Sequence, residues 1–105
     1  MRRRPDTTAD IDRAAALLCD ELERVQRLRI GGNEMTGRYA AERARKAPET
    51  RRRLAGRRLL AQYRRQTGRK GIIDWDEFRA WLKEHMAELT FAKVILSIIT
   101  ILLML

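Results

Sequence analysis

The sequence predicts an all-α protein: a small helical hairpin or bundle with a long C-terminal helix ending in an apolar segment. Three observations predict it. Apolar residues recur every three or four positions along most of the 105 residues, and no strand-like alternation interrupts them. Glycine and proline are few, six and two, so long stretches carry no breaker. Neither residue occurs after Gly71, which lets the last helix run on toward Leu105.

Residues 1–9 hold three arginines, Pro5 and two threonines, with little to bury, and read as a basic disordered N-terminus. A helix is expected near 10–30, with Ile11, Ala14, Ala15, Leu18, Leu22, Val25 and Leu28 on one side. Thr7 and Asp10 fit a capping box at its start, and Gly31 with Gly32 supply its end. Ile11, Leu18 and Val25 are seven apart, as in a coiled coil. Glu21 interrupts the second seam, and packing on the chain's own next helix accounts for the same pattern.

A second helix is expected near 37–47, with Tyr39, Ala40, Ala41 and Ala44 on one side but few large apolar groups. A third, near 48–66, begins with Pro48 and Glu49, both suited to a helical first turn. It carries Leu54, Ala55, Leu59, Leu60 and Tyr63, and Gly56 weakens it. A fourth, near 74–88, places Trp75, Phe78, Leu82 and Met86 at helical spacing. Residues 10–88 thus read as one basic helical region, and 89–105 as an apolar helix that serves as membrane anchor or oligomer core.

The joint before the fourth helix, QTGRKGIIDWDEFRAWL (Gln66 to Leu82), resembles the second half of an EF-hand. Gly71 falls at the sharp turn, Ile73 in the apolar slot, and Asp74, Glu77 and Phe78 follow. The early ligand positions of that family hold Gln66, Gly68 and Lys70 here, and Lys70 would repel a cation. The expectation is a helix-turn-helix joint held by Ile73, with Asp74 as N-cap and Glu77 completing a capping box. Trp75, Phe78 and Trp81 are expected to pack.

Charge is concentrated. The chain has 23 Lys or Arg against 14 Asp or Glu, a net +9. Between Arg43 and Lys70 there are twelve bases and one acid, Glu49, a local +11. Like charges this dense call for a polyanion, either nucleic acid or anionic lipid. The expected contacts are Arg51, Arg52, Arg53, Arg57, Arg58, Arg64, Arg65, Arg69 and Lys70; a solvated helix face is the plainer alternative.

The last fifteen residues, FAKVILSIITILLML, carry a single charge, Lys93. Phe91, Val94, Ile95, Leu96, Ile98, Ile99, Ile101, Leu102, Leu103 and Leu105 are expected to leave water for a bilayer or for sister helices. Their helix would be about 22 Å long against roughly 30 Å of hydrocarbon, so a span requires local thinning. The polar, acidic stretch after MRRRP is no secretory signal, so the membrane reading is a tail anchor with the N-terminal region cytoplasmic. In the competing reading the segment is the central helix of an oligomer, with Ser97 and Thr100 bonding across the bundle.

Catalytic chemistry is not expected. Cys19 and His85 are single, and no phosphate loop, paired nucleophile or carboxylate dyad is present, so neither enzyme activity, metal nor cofactor is predicted. Two functions follow from these features. The first is a small membrane-associated structural or adaptor protein that oligomerises through its tail. The second is a basic component of a nucleoprotein assembly, a virion or packaging complex, whose C-terminal helices bundle within protein while the Arg-rich helix contacts nucleic acid.

Overall fold

The computed structural model describes residues 6–30, 32–87 and 92–103, with the side chains of 87 and 92–94 outside the description. Among the described residues it is 72% helix, in five helices, with one small two-stranded sheet. The order is α1 (Thr8–Leu22), β1 (Leu28–Ile30), β2 (Asn33–Met35), α2 (Gly37–Arg45), α3 (Glu49–Thr67), α4 (Trp75–Ala87) and α5 (Ala92–Leu103).

The first helix opens on the expected box. Thr7 Oγ1 accepts the Asp10 N–H at 3.1 Å, and an Asp10 carboxylate oxygen accepts the Thr7 N–H at 3.3 Å. It ends earlier than its apolar spacing suggests, at Leu22. Leu28, Ile30 and Met35 instead belong to an antiparallel hairpin in which Ile30 pairs with Asn33 across Gly31-Gly32. This corrects the expectation of a strand-free chain: the backbone folds back between Ile30 and Asn33, with Gly32 at φ +82°, instead of ending a helix there. Thr36 then caps α2 by accepting the Tyr39 N–H at 3.1 Å.

The longest helix, α3, organises the rest. It packs chiefly against α1 and next against α5, while α2 touches both of those and α4 closes the remaining side. Gly56 is the crossing point of α1 and α3. A Cβ there would strike the Ile11 carbonyl oxygen and come within 3.0 Å of Ile11 Cγ2, so the residue that lowers helix propensity is what lets the two backbones approach.

Around this axis lies one core. Leu18, Leu22, Leu59, Leu60, Tyr63, Phe78 and Leu82 are fully covered, and Ile95, Ile99 and Leu102 of α5 join them. Tyr63 stands edge-on to Phe78 and to Trp81, at centroid distances of 5.2 and 5.4 Å. The Trp81 indole donates to Gln66 Oε1 at 2.9 Å, and the Arg13 guanidinium covers the Trp75 ring at 4.6 Å.

The apolar segment is where expectation and structure part. No helix among the described residues is long and apolar enough to cross a membrane, so the transmembrane tail anchor is overturned. Twelve residues of α5 span about 18 Å. The physical reason is that shelter is available nearer by: Ile95, Ile98, Ile99, Ile101, Leu102 and Leu103 are buried against the chain's own α2, α3 and α4. Leu96 is half-buried, and Ser97 and Thr100 lie exposed on the opposite side. Thr100 donates to the Leu96 carbonyl at 2.7 Å. Phe91 and Leu105, the Val94 side chain and the junction 88–91 of the expected continuous helix lie outside the described residues.

Candidate polyanion interface

The basic block folds mostly into α3. Glu49 in its first turn complements the helix dipole, and Gly68 ends it by returning its N–H to the Arg64 carbonyl at 2.9 Å. A nineteen-residue helix with apolar groups on one side displays its arginines in three distinct environments.

Some are paired within the chain. Arg53 bridges Asp12 of α1 at 3.3 Å and Glu49 one turn back at 2.5 Å. Arg45 of α2 bridges Asp20 at 3.1 Å and Glu23 at 2.9 Å, and these hydrogen bonds raise its pKa. Arg69 bonds Glu77 at 3.0 Å. Three of the block's twelve bases are therefore answered by acids, on α1 and just after it, in the first turn of α3 and on α4.

Arg64 is buried. Its Nη2 is 2.6 Å from Asp6 Oδ1, its Nε bonds the same carboxylate, and its Nη1 donates to the carbonyls of Gly71 at 2.9 Å and Arg69 at 3.3 Å. This guanidinium fixes the start of the chain to the turn after α3 and is turned away from solvent.

The remainder point outward. Arg57, Arg58 and Arg65 are exposed, and no acid among the described residues pairs with them. Arg58 and Arg65 stand seven residues apart, one above the other at about 10 Å, with exposed Ala61 between them and Leu54 39% exposed below. Arg52 and Lys70 are also exposed, on other sides. Half-buried Arg51 joins Arg43 and Lys46 around a cleft of about 370 Å³ floored by Leu102 and Leu103.

The turn after α3 feeds α4 through a partial capping box. Asp74 Oδ1 accepts the N–H groups of Asp76 and Glu77 at 3.1 and 3.2 Å. The Glu77 carboxylate does not reciprocate: it accepts the Tyr63 hydroxyl at 2.5 Å and the Arg69 guanidinium. Burial and that bond push Tyr63 up to about 12, and the same hydrogen bond holds Glu77 below its ordinary value. Sequence spacing could not reveal this cross-helix link, because it joins positions fourteen residues apart on different helices.

Among the described residues no group of His, Cys, Asp or Glu could hold a metal ion. The Cys19 thiol is buried, and desolvation raises its pKa, opposite to what a nucleophile needs. His85 lies half-buried, its Nδ1 2.8 Å from the Trp81 carbonyl oxygen. Compared with family models, with curated protein sequences and with solved structures, the chain matches none.

Proposed function

We propose that this protein is a non-enzymatic, basic structural component of a nucleoprotein assembly, contacting nucleic acid through the outer face of α3. One observation carries the reading: Arg57, Arg58 and Arg65 stand exposed on α3 with no carboxylate partner among the described residues, whereas Arg53 and Arg64 of the same helix are matched to acids. Guanidinium groups so placed neutralise phosphates and release counterions, giving binding that depends on salt and little on sequence. The face has no exposed aromatic group, since Tyr63 is buried, so backbone contact is the mode it suits.

The test is fluorescence anisotropy with labelled DNA and RNA between about 50 and 200 mM salt. The native chain should bind with a steep salt dependence. The triple variant Arg57→Ala, Arg58→Ala, Arg65→Ala should lose about one unit of the log–log salt slope per arginine removed. Binding that persists unchanged in the triple variant, or native protein that engages only anionic vesicles, would rule the reading out.

A further inference from the structure

Two adjacent isoleucines in the turn between α3 and α4 have opposite fates. Ile73 is 7% exposed and belongs to the core, whereas Ile72 is 102% exposed. The backbone beneath Ile72 is held on both sides: Arg64 Nη1 bonds the Gly71 carbonyl at 2.9 Å, and Ile73 is packed. An aliphatic tip on a fixed mount loses little freedom when a partner covers it.

The charge around the tip is negative. Asp74 and Asp76 are exposed and follow it closely in the chain, and Asp10 lines the same recess as Ile72. Asp10 and Asp74 accept backbone N–H groups, which leaves their charge uncancelled. Of the bases around the turn, Arg64 and Arg69 are held by Asp6 and Glu77, and Arg13 lies over the Trp75 ring, so Lys70 is set against three carboxylates. Such a tip calls for an apolar recess with a basic rim.

The chain carries that recess at the other end of α3, nineteen residues or about 28 Å away. The cleft of about 370 Å³ between α2, α3 and α5 has Leu102 and Leu103 as its floor and Arg43 and Lys46 on its rim, beside Arg51. No carboxylate among the described residues lines it, and none pairs with Arg43 or Lys46. Glu42 and Glu49, the acids nearest to them in sequence, face Arg38 and Arg53 instead.

We propose that Ile72 of one copy of this chain seats in the Leu102–Leu103 cleft of a second copy, with Asp74 and Asp76 against Arg43 and Lys46. The two surfaces lie at opposite ends of one helix, so a copy cannot fill its own cleft. Because they differ, the contact is heterologous: each copy that joins leaves a tip and a cleft open, which gives chains or closed rings. One seated side chain with a charged rim makes a weak contact that salt loosens. Neither surface includes Arg57, Arg58 or Arg65, so the contact stands independently of the reading of α3 as a nucleic-acid surface.

The experiment is sedimentation velocity of the full chain, free of nucleic acid, from about 1 µM to about 1 mM. The native mass should rise with concentration and fall back with added salt. Ile72→Ala, at a site outside the core, should weaken association about tenfold. The tip variant Ile72→Ala, Asp76→Lys and the cleft variant Arg43→Glu, Lys46→Glu, each checked for native circular dichroism, should be monomers when alone. Mixed, the intact tip of the second should fill the intact cleft of the first, and growth should stop at a dimer. A native chain that stays monomeric, association undiminished in Ile72→Ala or surviving in the cleft variant, or a mixture that stays monomeric or grows past a dimer would overturn the proposal.

Discussion

The Arg64 guanidinium is bound at 2.6 Å to the carboxylate of Asp6, fifty-eight residues earlier in the chain, and both side chains are largely shielded from water. The pair joins the entry to α1, the end of α3 and the turn that leads to α4. Removing one partner would leave the other charge buried without an answer, so Asp6→Ala should destabilise the fold by about 3 kcal/mol in urea denaturation. A loss below about 1 kcal/mol, the range of exposed ion pairs, would mean that the latch does not hold.

Gly56 gives a prediction of opposite sign to helix propensity. Alanine is favoured over glycine by about 1 kcal/mol inside an exposed helix. Because a Cβ there meets the backbone of Ile11, Gly56→Ala should instead lower stability, by about 1–3 kcal/mol, as overpacking does. Stabilisation on thermal melting would show that α1 and α3 do not cross so closely.

The apolar end can be tested as core. Ile99 is 1% exposed, so Ile99→Ala should cost about 3 kcal/mol through lost burial and the cavity left behind. Deleting 92–105 should abolish cooperative unfolding monitored by circular dichroism. A truncated chain that melts as sharply as the parent would separate α5 from the core.

Two titrations bracket the stability of the Tyr63–Glu77 link. Tyr63 has a folded pKa of about 12 against an ordinary 10.0, so its contribution is complete below pH 10 and is lost as pH rises toward 12. Glu77 is shifted downward, so its contribution is complete above its ordinary 4.5 and is lost as pH falls through the lower folded value. Denaturation midpoints measured across pH should decline at both ends, and Tyr63→Phe should flatten the alkaline decline between pH 10 and 12. An unaltered alkaline limb in that variant would count against the link.

Much of the helical layout is readable without coordinates. Thr7 and Asp10 mark one helix start, Pro48 and Glu49 another, and Asp74 a third, because caps act over three or four residues. The hairpin at Gly31-Gly32 was also readable, since two glycines between Leu28–Ile30 and Asn33–Met35 match a two-residue turn, but the helical spacing of Val25 and Leu28 competed with it. The apolar tail carried a cue as well: Lys93, Ser97 and Thr100 are spaced four and three apart, a polar stripe suited to a surface helix. Of the nine bases expected to meet a polyanion, Arg64 and Arg53 could not be sorted from Arg57, Arg58 and Arg65 by position alone, because their partners lie on α1 or before it.

The sequence by itself determined that the chain is mostly helical, where several helices start, and that its apolar end must be kept from water; each follows from local propensity or from the transfer of side chains out of solvent. Only the tertiary structure decided what provides that shelter and which arginines stay free. Both are questions of what lies opposite a given face, and α5 finds α3, while Arg53 and Arg64 find acids forty-one and fifty-eight residues away. Hydrophobic burial has no direction of its own and ion pairing acts through space, so chain order alone leaves their partners open.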